Sequence, residues 1–237
     1  MFNFLKKYKE KKEMKEKVER TSKLNKIKEF FEVGKKPRGK FEDFISDFRD
    51  HSLIMLIIGK RGSGKTALGM RFIEIANMFK KKIYIMGFDN SKTPTWMKKT
   101  TSIEEIPNDS VVLVDEAGIS FSARSSMKKA NKELSSLLSI ARHKNLSLIF
   151  ITQSSAMLDV NVLRLADILL FKEPSLLQSK FERKGLQDMF NKVGKSFDKL
   201  EGKKEYFYII SDDFEGLVKT SLPSFWNESI SKSFSKK

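Results

Sequence analysis

Short, continuous runs of apolar residues recur from residue 52 onward, and stretches with helical spacing separate them. Strands covered on both faces of a sheet give continuous apolar runs, whereas half-exposed strands alternate apolar and polar positions. The runs are LIMLII (53–58), KIYIMG (82–87), VVLVD (111–115), LSLIFI (146–151) and DILLFK (167–172). The predicted helices are 65–80, 127–143 and 174–192. This succession predicts an α/β fold with a largely parallel sheet flanked by helices.

The two ends of the chain have different patterns. Residues 3–20 are dense in Lys and Glu, with neither Gly nor Pro, and predict a solvated helix. A second helical segment fits Leu24, Ile27 and Phe31. The basic stretch GKKPRGK that follows, residues 34–40, has the Gly and Pro of a linker. Near the carboxyl end, EYFYII (205–210) and GLVKTSL (216–222) predict a closing hairpin.

Composition excludes several kinds of site. The 237 residues include no Cys and two His, so disulfides, thiolate metal sites, cysteine nucleophiles and multi-histidine metal centres are not available. The longest apolar runs have about six or seven residues, whereas a membrane-spanning helix needs roughly 20. We therefore expect no transmembrane segment and a cytoplasmic location, which would be the host cytoplasm for a viral protein.

The net charge is +16, and it is distributed unevenly. Residues 1–40 contain 15 basic and 6 acidic side chains, so more than half of the excess lies in the first sixth of the chain. Such a balance indicates a polyanionic partner, either nucleic acid or an anionic membrane surface. Composition alone does not separate these two.

The strongest motif is GKRGSGKT at 59–66, which matches G-x-x-x-x-G-K-[ST] and lies between an apolar strand and a helix. Its glycines allow backbone N–H groups to face phosphate oxygens, and the following helix adds its positive amino end. Lys65 should reach the β- and γ-phosphates, and the Thr66 hydroxyl should ligate Mg²⁺. The predicted nucleotide-binding residues are Gly59, Lys60, Arg61, Gly62, Ser63, Gly64, Lys65, Thr66 and Ala67.

A second motif, VVLVDEAG at 111–118, follows the first by about 45 residues. Asp115 at the end of a strand beside the P-loop strand can hold Mg²⁺, and Glu116 can polarise the attacking water. The paired carboxylates favour ATP hydrolysis over a switch-type GTPase. No NKxD guanine motif occurs, because NKVG at 191–194 lacks the Asp.

A third motif, ARHKNLSLIFITQSS at 141–155, combines a helix end with a buried strand that ends in Thr152-Gln153. In a parallel sheet this end emerges on the phosphate side, next to the P-loop and Asp115. The Gln153 amide could sense the γ-phosphate or orient water there.

These three motifs together resemble the HerA/FtsK superfamily of DNA-pumping ATPases. That superfamily includes small viral genome-packaging ATPases and the Zot-like proteins of filamentous phages. The resemblance covers about residues 52–172 and implies a RecA-like core, a ring that is usually a hexamer, and ATP-driven movement of duplex DNA. Zot-like proteins usually carry a transmembrane segment, and its expected absence here favours a soluble packaging or translocation ATPase.

The resemblance also implies roles for single residues. Lys65 and Thr66 would contact nucleotide and metal, and Asp115 would contact the metal. Glu116 would activate water, and Gln153 would act as a sensor.

An arginine supplied by a neighbouring subunit usually completes such a site. The candidates are Arg124, Arg142, Arg164 and Arg183. Arg142 occupies the position where family members keep an Arg, although it could equally complement a helix dipole at a carboxyl end. The loop 116–130 could face a ring pore and contact DNA phosphates, or it could be an ordinary solvated loop.

We expect three parts in the chain: a basic helical arm and linker at 1–40, a P-loop ATPase domain at 41–226, and a basic tail at 227–237. The arm would add electrostatic affinity for DNA without contributing to catalysis, or it would dock on a membrane or a capsid-like partner. The expected function is an ATP-driven motor that translocates or packages double-stranded DNA. The alternative is a Zot-like or regulatory assembly ATPase that acts at a membrane or on a protein partner.

Overall fold

The computed structural model describes residues 2–35, 37–115, 127–152, 160–174 and 184–231. The strands in these ranges are β1 (Phe31–Val33), β2 (Arg38–Gly39), β3 (Ile54–Ile58), β4 (Lys82–Met86), β5 (Met97–Lys99), β6 (Ser110–Asp115), β7 (Ser147–Thr152), β8 (Ile168–Phe171), β9 (Tyr206–Ile210) and β10 (Phe214–Thr220). The helices are α1 (Phe2–Lys28), α2 (Phe41–Asp50), α3 (Lys65–Met78), α4 (Met127–His143), α5 (Val160–Leu165), α6 (Lys184–Phe197) and α7 (Glu228–Ser231).

All of these strands belong to one sheet with the order β1-β10-β9-β8-β3-β7-β6-β4-β5, and β2 also pairs with β10. The six strands from β8 to β5 in this order are parallel. The hairpin of β9 and β10 continues the sheet in antiparallel fashion beyond β8. The predicted α/β class, with a largely parallel sheet flanked by helices, is confirmed.

The order of the central strands corrects one detail of the sequence interpretation. The strand that ends in Asp115 does not lie beside the P-loop strand, because β7 is inserted between β6 and β3. Ile58 of β3 is in register with Thr152 of β7, and Asp115 is in register with Ile151 on the other side of β7. Since the three strands are parallel, their carboxyl ends still meet at one edge of the sheet.

Two layers of apolar side chains, one on each face, hold the sheet between the helices. Met55 and Ile57 of β3 join a cluster with α2 and α3. Ile54 and Leu56 point the other way and join a cluster with α4 and α6. Every residue of β3 is buried, which explains why its sequence is continuously apolar rather than alternating.

The amino-terminal region is tied to the main sheet more closely than its sequence indicates. Residues 2–28 form one continuous helix rather than two, and Phe31 begins β1. Ile27 is fully buried, and Phe31 packs against the same core cluster. β1 and β2 both pair with β10, so the stretch at 34–40 contributes to the sheet instead of forming a free linker.

The carboxyl-terminal elements also pack on the main fold. The predicted hairpin is present as β9 and β10, and β10 begins at Phe214, two residues earlier than expected. Ile230 of α7 is buried in the cluster formed with α3, so the first residues of the predicted tail belong to the core. Across the described ranges, no helix has both the length and the apolar character needed to span a bilayer.

Candidate nucleotide-binding site

The loop between β3 and α3 has the local geometry that its sequence predicts. β3 ends at Ile58, and α3 begins at Lys65. Gly64 caps the amino end of α3 with a φ of 92°, a left-handed conformation that side chains with a Cβ adopt only at a cost. The loop therefore turns directly into the amino end of a 14-residue helix, where free N–H groups and the helix dipole favour an anion.

Gly59 is required for a steric reason. A Cβ at this position would lie 2.8 Å from the Cβ of Lys172 and 3.0 Å from the Oγ of Ser63. The segment after β8 runs along the loop here, because Lys172 N donates to Ile58 O at 2.8 Å and Lys60 N donates to Glu173 O at 3.2 Å. A larger residue at 59 would separate the loop from this neighbouring segment.

The polar groups inside the loop fit a phosphate. The side chain of Lys65 is buried, and its ammonium donates to the carbonyl oxygens of Gly59 at 2.8 Å and Lys60 at 3.0 Å. The buried Ser63 hydroxyl lacks a hydrogen-bond partner in the described part of the chain. A buried hydroxyl without a partner costs free energy, and a phosphate oxygen would satisfy it. Thr66, the predicted metal ligand, is half-buried at the start of α3.

Asp115 is buried at the carboxyl end of β6, with 6% of its surface exposed. It lies at the sheet edge from which the P-loop emerges, with β7 between its own strand and β3. In the described ranges, no group of three or more His, Cys, Asp or Glu side chains could hold a metal ion on its own. Thr66, Asp115 and phosphate oxygens together would give Mg²⁺ a set of hard oxygen ligands that suits this ion.

Some predicted site residues lie outside the described residues. They are Glu116, Gln153, Arg124 and Arg183, together with most of the loop 116–130. Thr152, directly before Gln153, is fully buried at the end of β7 and is in register with Ile58. The roles of Glu116 and Gln153 stay predictions.

Arg142 lies at the opposite edge of the sheet from the P-loop of its own chain. Its guanidinium donates to Leu165 O at 2.8 Å and to Asp167 Oδ1 at 3.1 Å. Asp167 Oδ2 in turn accepts from the backbone N–H of Ile54, the first residue of β3. The P-loop follows the other end of β3, so Arg142 does not belong to the site of its own subunit.

Lys172 is a site residue that the sequence analysis missed. It directly follows β8, is 1% exposed, and donates from Nζ to the carbonyl oxygen of Lys204 at 2.6 Å. Burial lowers the pKa of Lys172 to about 7, although the nearby Glu205 carboxylate opposes this shift. The only sequence signal was a lysine at the end of an apolar run.

A groove of about 820 Å³ opens beside the P-loop. One wall is the first turn of α3, with Gly64, Ala67 and Leu68. The remaining lining comes from distant parts of the chain: Glu29 to Glu32, Lys172, Lys204, Glu205 and Lys219 to Leu222.

Residues 67–171 match the family model described as Zonular occludens toxin (Zot). The match begins directly after the P-loop motif and ends with the last residue of β8. No curated protein matches the chain.

The fold is similar to several solved structures. The DNA-packaging ATPase B204 of Sulfolobus turreted icosahedral virus is 19% identical, with a TM-score of 0.51 over 73% of this chain and 99% of that one. The genome-packaging NTPase B204 of Sulfolobus turreted icosahedral virus 2, in complex with ATP-gammaS, is 16% identical, with a TM-score of 0.52 over 72% and 98%. The conjugation coupling protein TcpA of pCW3, with ATPgS, is 12% identical, with a TM-score of 0.53 over 78% and 65%.

At these identities the structures show a shared fold. Together with the Zot match, they confirm the resemblance to the HerA/FtsK group that the motifs indicated, and the chain has the fold of a P-loop ATPase.

Proposed function

We propose that this chain is an ATP-hydrolysing motor that translocates or packages double-stranded DNA. The observation that carries the proposal is the arrangement at the carboxyl edge of the parallel strands. There, the Lys65 ammonium lies inside a glycine loop at a helix amino end, and the buried Asp115 carboxylate ends β6, which β7 separates from the P-loop strand. The similarity of the fold to DNA-packaging ATPases supports the choice of a DNA motor among the many P-loop enzymes.

Each residue of the site would have one task. Lys65 and the N–H groups of the loop would hold the β- and γ-phosphates, and the Ser63 hydroxyl would donate to a phosphate oxygen. Thr66 and Asp115 would hold Mg²⁺, which would supply positive charge against the phosphate oxygens. Glu116 would accept a proton from the attacking water, and Gln153 would orient that water.

We further propose that the motor works as a ring, a hexamer by analogy with the superfamily, because an arginine from a neighbouring subunit usually completes such a site. In this arrangement Arg142 would reach the nucleotide of a neighbouring subunit. Its position away from its own P-loop is compatible with that role. The Arg142 guanidinium would stabilise the negative charge on the transferred phosphoryl group.

The DNA would bind through its phosphates and without sequence preference. The basic excess of the chain is concentrated in its first 40 residues, and the lysines described on α1, apart from the half-buried Lys23, are solvent-exposed. Backbone contacts of this kind fix orientation but carry no sequence information.

The Zot match favours a second candidate function, an assembly ATPase that acts at a membrane or on a protein partner. In that case the same basic helix would bind anionic lipid or an acidic partner surface instead of DNA. The ATP chemistry would be identical, so only the activating partner separates the two functions.

The test is ATP turnover of the full-length protein with Mg²⁺, measured alone, with duplex DNA and with anionic phospholipid vesicles. Stimulation by DNA and not by vesicles supports the motor, and the reverse supports the assembly ATPase. Lys65→Ala, which removes the charge facing the phosphates, should abolish nucleotide binding in every condition and serves as the control. Turnover that persists in Lys65→Ala would contradict the site itself.

The assignment of Glu116 has its own test. Glu116→Gln keeps the size of the side chain and removes its basicity, so it should bind ATP normally and hydrolyse it about 10²- to 10⁴-fold more slowly. Glu105→Gln, an exposed carboxylate outside the site, is the matched control. Equal turnover in Glu116→Gln and wild type would exclude Glu116 as the base.

A further inference from the structure

The P-loop is held from outside by Glu173, the second residue after β8. Lys60 N donates to Glu173 O at 3.2 Å, and Lys60 Nζ lies 2.7 Å from Glu173 Oε2. Lys60 is therefore attached to the same residue through its backbone and through its side chain. Pro174 follows Glu173, and a residue before a proline is biased towards extended conformations. This restriction suits a residue that fixes a neighbouring loop.

The carbonyl oxygen of Lys60 connects this attachment to the phosphate-binding lysine. Lys65 Nζ donates to that oxygen at 3.0 Å and to Gly59 O at 2.8 Å. The place of the Lys65 ammonium thus depends on where the loop holds the Lys60 carbonyl. A shift of Lys60 would move a hydrogen-bond acceptor of the residue proposed to hold the β- and γ-phosphates.

The Glu173 carboxylate is also anchored on its other side. Its Oε1 lies 3.4 Å from Lys203 Nζ, in the turn that precedes β9. The neighbouring Lys172 donates to the carbonyl oxygen of Lys204 in the same turn at 2.6 Å. Two successive residues after β8 therefore bond this turn, and the carboxylate that holds Lys60 has a fixed position.

The surroundings of Glu173 keep its carboxylate charged. Partial burial would raise the pKa of Glu173, but the hydrogen bonds and charges of Lys60 and Lys203 outweigh this effect and lower the pKa. The side chain of Glu173 is 20% exposed, so solvent and salt screen the pair with Lys60 less than a fully exposed pair.

A carboxylate beside a phosphate site has two effects of opposite sign. Nucleotide phosphates carry several negative charges, so the charge of Glu173 alone opposes their binding. Its contacts with Lys60 favour binding, because they hold the loop in one arrangement and reduce the ordering that binding requires. The two effects predict opposite changes in nucleotide affinity when the charge is removed.

We propose that Glu173 is a positioning residue of the P-loop, which holds Lys60 and thereby keeps the loop around Lys65 in the arrangement that receives phosphate. This inference rests on the proposed function and adds a residue to its site. In this role Glu173 contacts neither nucleotide nor metal. It acts through Lys60, and its contact with Lys203 keeps the carboxylate in place.

The experiment measures ATP affinity by calorimetry with Mg²⁺ on the full-length protein, for Glu173→Gln, Lys60→Met and the double variant. Gln keeps the size of the Glu173 side chain and removes its charge, and Met removes the Lys60 ammonium. Glu201→Gln, which changes an exposed carboxylate just before the same turn, is the matched control. Steady-state turnover gives KM and kcat for each protein, and thermal melting reports its stability.

We expect Glu173→Gln to weaken ATP binding about three- to tenfold, and to raise KM by more than it lowers kcat. In the Lys60→Met background the same change should cause no further loss, because the partner through which Glu173 acts is missing. Glu201→Gln should change ATP affinity by less than about twofold.

Three results would overturn the positioning role. Unchanged or tighter ATP binding in Glu173→Gln would show that its charge acts on the phosphates directly or not at all. An equal loss in the wild-type and Lys60→Met backgrounds would exclude the route through Lys60. A lower melting temperature with unchanged ATP affinity would leave Glu173 a purely structural role. A wild type that binds no ATP would instead contradict the proposed function, and this inference with it.

Discussion

At the scale of single residues, two buried lysines lie next to the same glycine loop. Lys65 is compensated by carbonyl oxygens of the loop and would meet phosphate charge there. Within the described ranges, Lys172 has one carbonyl partner and little exposed surface, so its charged form is held at a cost in free energy. The buried ammonium of Lys172 has a structural role, because its hydrogen bond holds the turn at Lys204 against Gly64.

The pKa of Lys172 makes this cost measurable. In the folded protein the pKa is about 7, below its ordinary value of 10.5. Between these two pH values the unfolded chain keeps a proton that the folded chain has released, so stability rises with pH across this window. Below pH 7 both states are protonated, and the contribution is constant.

We expect Lys172→Met to remove this rise, since Met keeps the length of the side chain without its charge. The free energy of unfolding, measured in urea between pH 7 and 10 without nucleotide, should rise less steeply than in wild type. The difference should be at most about 1.4 kcal/mol per pH unit. Lys204→Met, an exposed neighbour whose carbonyl oxygen is unchanged, is the control. Identical slopes in wild type and Lys172→Met would show that Lys172 stays charged in the fold.

At the scale of elements, the interior strands could be predicted and the edge strands could not. β3, β6 and β7 are fully buried, so their own sequences give continuous apolar runs. β1 and β2 have three and two residues, which is too short for a period, and they depend on partners in β10 far along the chain. The apolar and polar pattern of a short segment does not indicate which distant strand it pairs with.

α2 was not predicted either, although the sequence contains the apolar spacing of a helix there. Phe41, Phe44, Ile45 and Phe48 are all buried and follow the i, i+3, i+4, i+7 spacing of an amphipathic helix. The sequence analysis placed no element between the predicted linker at 34–40 and the apolar run at 53–58.

Some parts of the candidate site could likewise be predicted from the sequence, and others could not. The P-loop and Asp115 could be predicted because a short contiguous motif contains the chemistry of each. Lys172 and the wall at 220–222 could not, since only the folded sheet brings them to Gly64. A single sequence gives no sign of contacts across such distances.

The packing of the arm predicts that its two halves respond differently to deletion. Removal of residues 2–20 takes away a part of α1 whose described side chains are exposed, and it should leave melting temperature and basal ATP turnover close to wild type. Removal of 2–40 also takes away the buried Ile27, the packed Phe31 and both strands that pair with β10. Several kcal/mol of burial would be lost, and the melting temperature should fall by roughly 10 °C or more. Basal ATP turnover of the two truncated proteins tests the separate expectation that the arm contributes nothing to catalysis.

Calorimetric melting of both truncated proteins checks this prediction. Equal melting temperatures for the two would mean that the region around Ile27 adds no stability, contrary to its burial.

At the scale of the whole molecule, the proposed ring predicts how replacement of Arg142 changes ATP turnover. Arg142→Ala should keep ATP affinity and lose about 10³-fold or more in turnover, because the arginine supplied by the neighbouring subunit is missing. Mixing it with Lys65→Ala should partly restore turnover, since one subunit supplies the intact P-loop and the other the arginine. Lys132→Ala, an exposed cation on the same helix, should behave as wild type.

The structure also offers a competing explanation for Arg142, its bonds to Leu165 O and Asp167. If these are its whole role, Arg142→Ala lowers stability by about 1 kcal/mol or less, as expected for an exposed pair, and turnover per folded subunit is unchanged. Absence of rescue in mixed rings, with their formation shown by co-purification, would exclude the trans role.

The uneven charge of the molecule gives the last prediction, which concerns DNA. Lys6, Lys7, Lys11 and Lys12 are exposed on α1, away from the core. If they contact phosphates, replacing all four by Gln should reduce the counterions released on binding. The slope of log affinity against log salt would then become shallower by up to about 3.6, at about 0.9 per phosphate contact. Affinity at low salt should fall, while basal ATP turnover and helix content stay constant, because Gln is a good helix former.

The control removes four exposed lysines elsewhere, at Lys80, Lys82, Lys92 and Lys98, and so changes the net charge by the same amount. A general effect of charge would shift both variants alike, whereas a DNA-binding arm predicts a larger change of slope in the α1 variant. Coinciding lines for the α1 variant and wild type would exclude the arm as a DNA contact. Loss of binding to anionic vesicles in that variant alone, with DNA binding intact, would assign the arm to a membrane surface and favour the assembly ATPase.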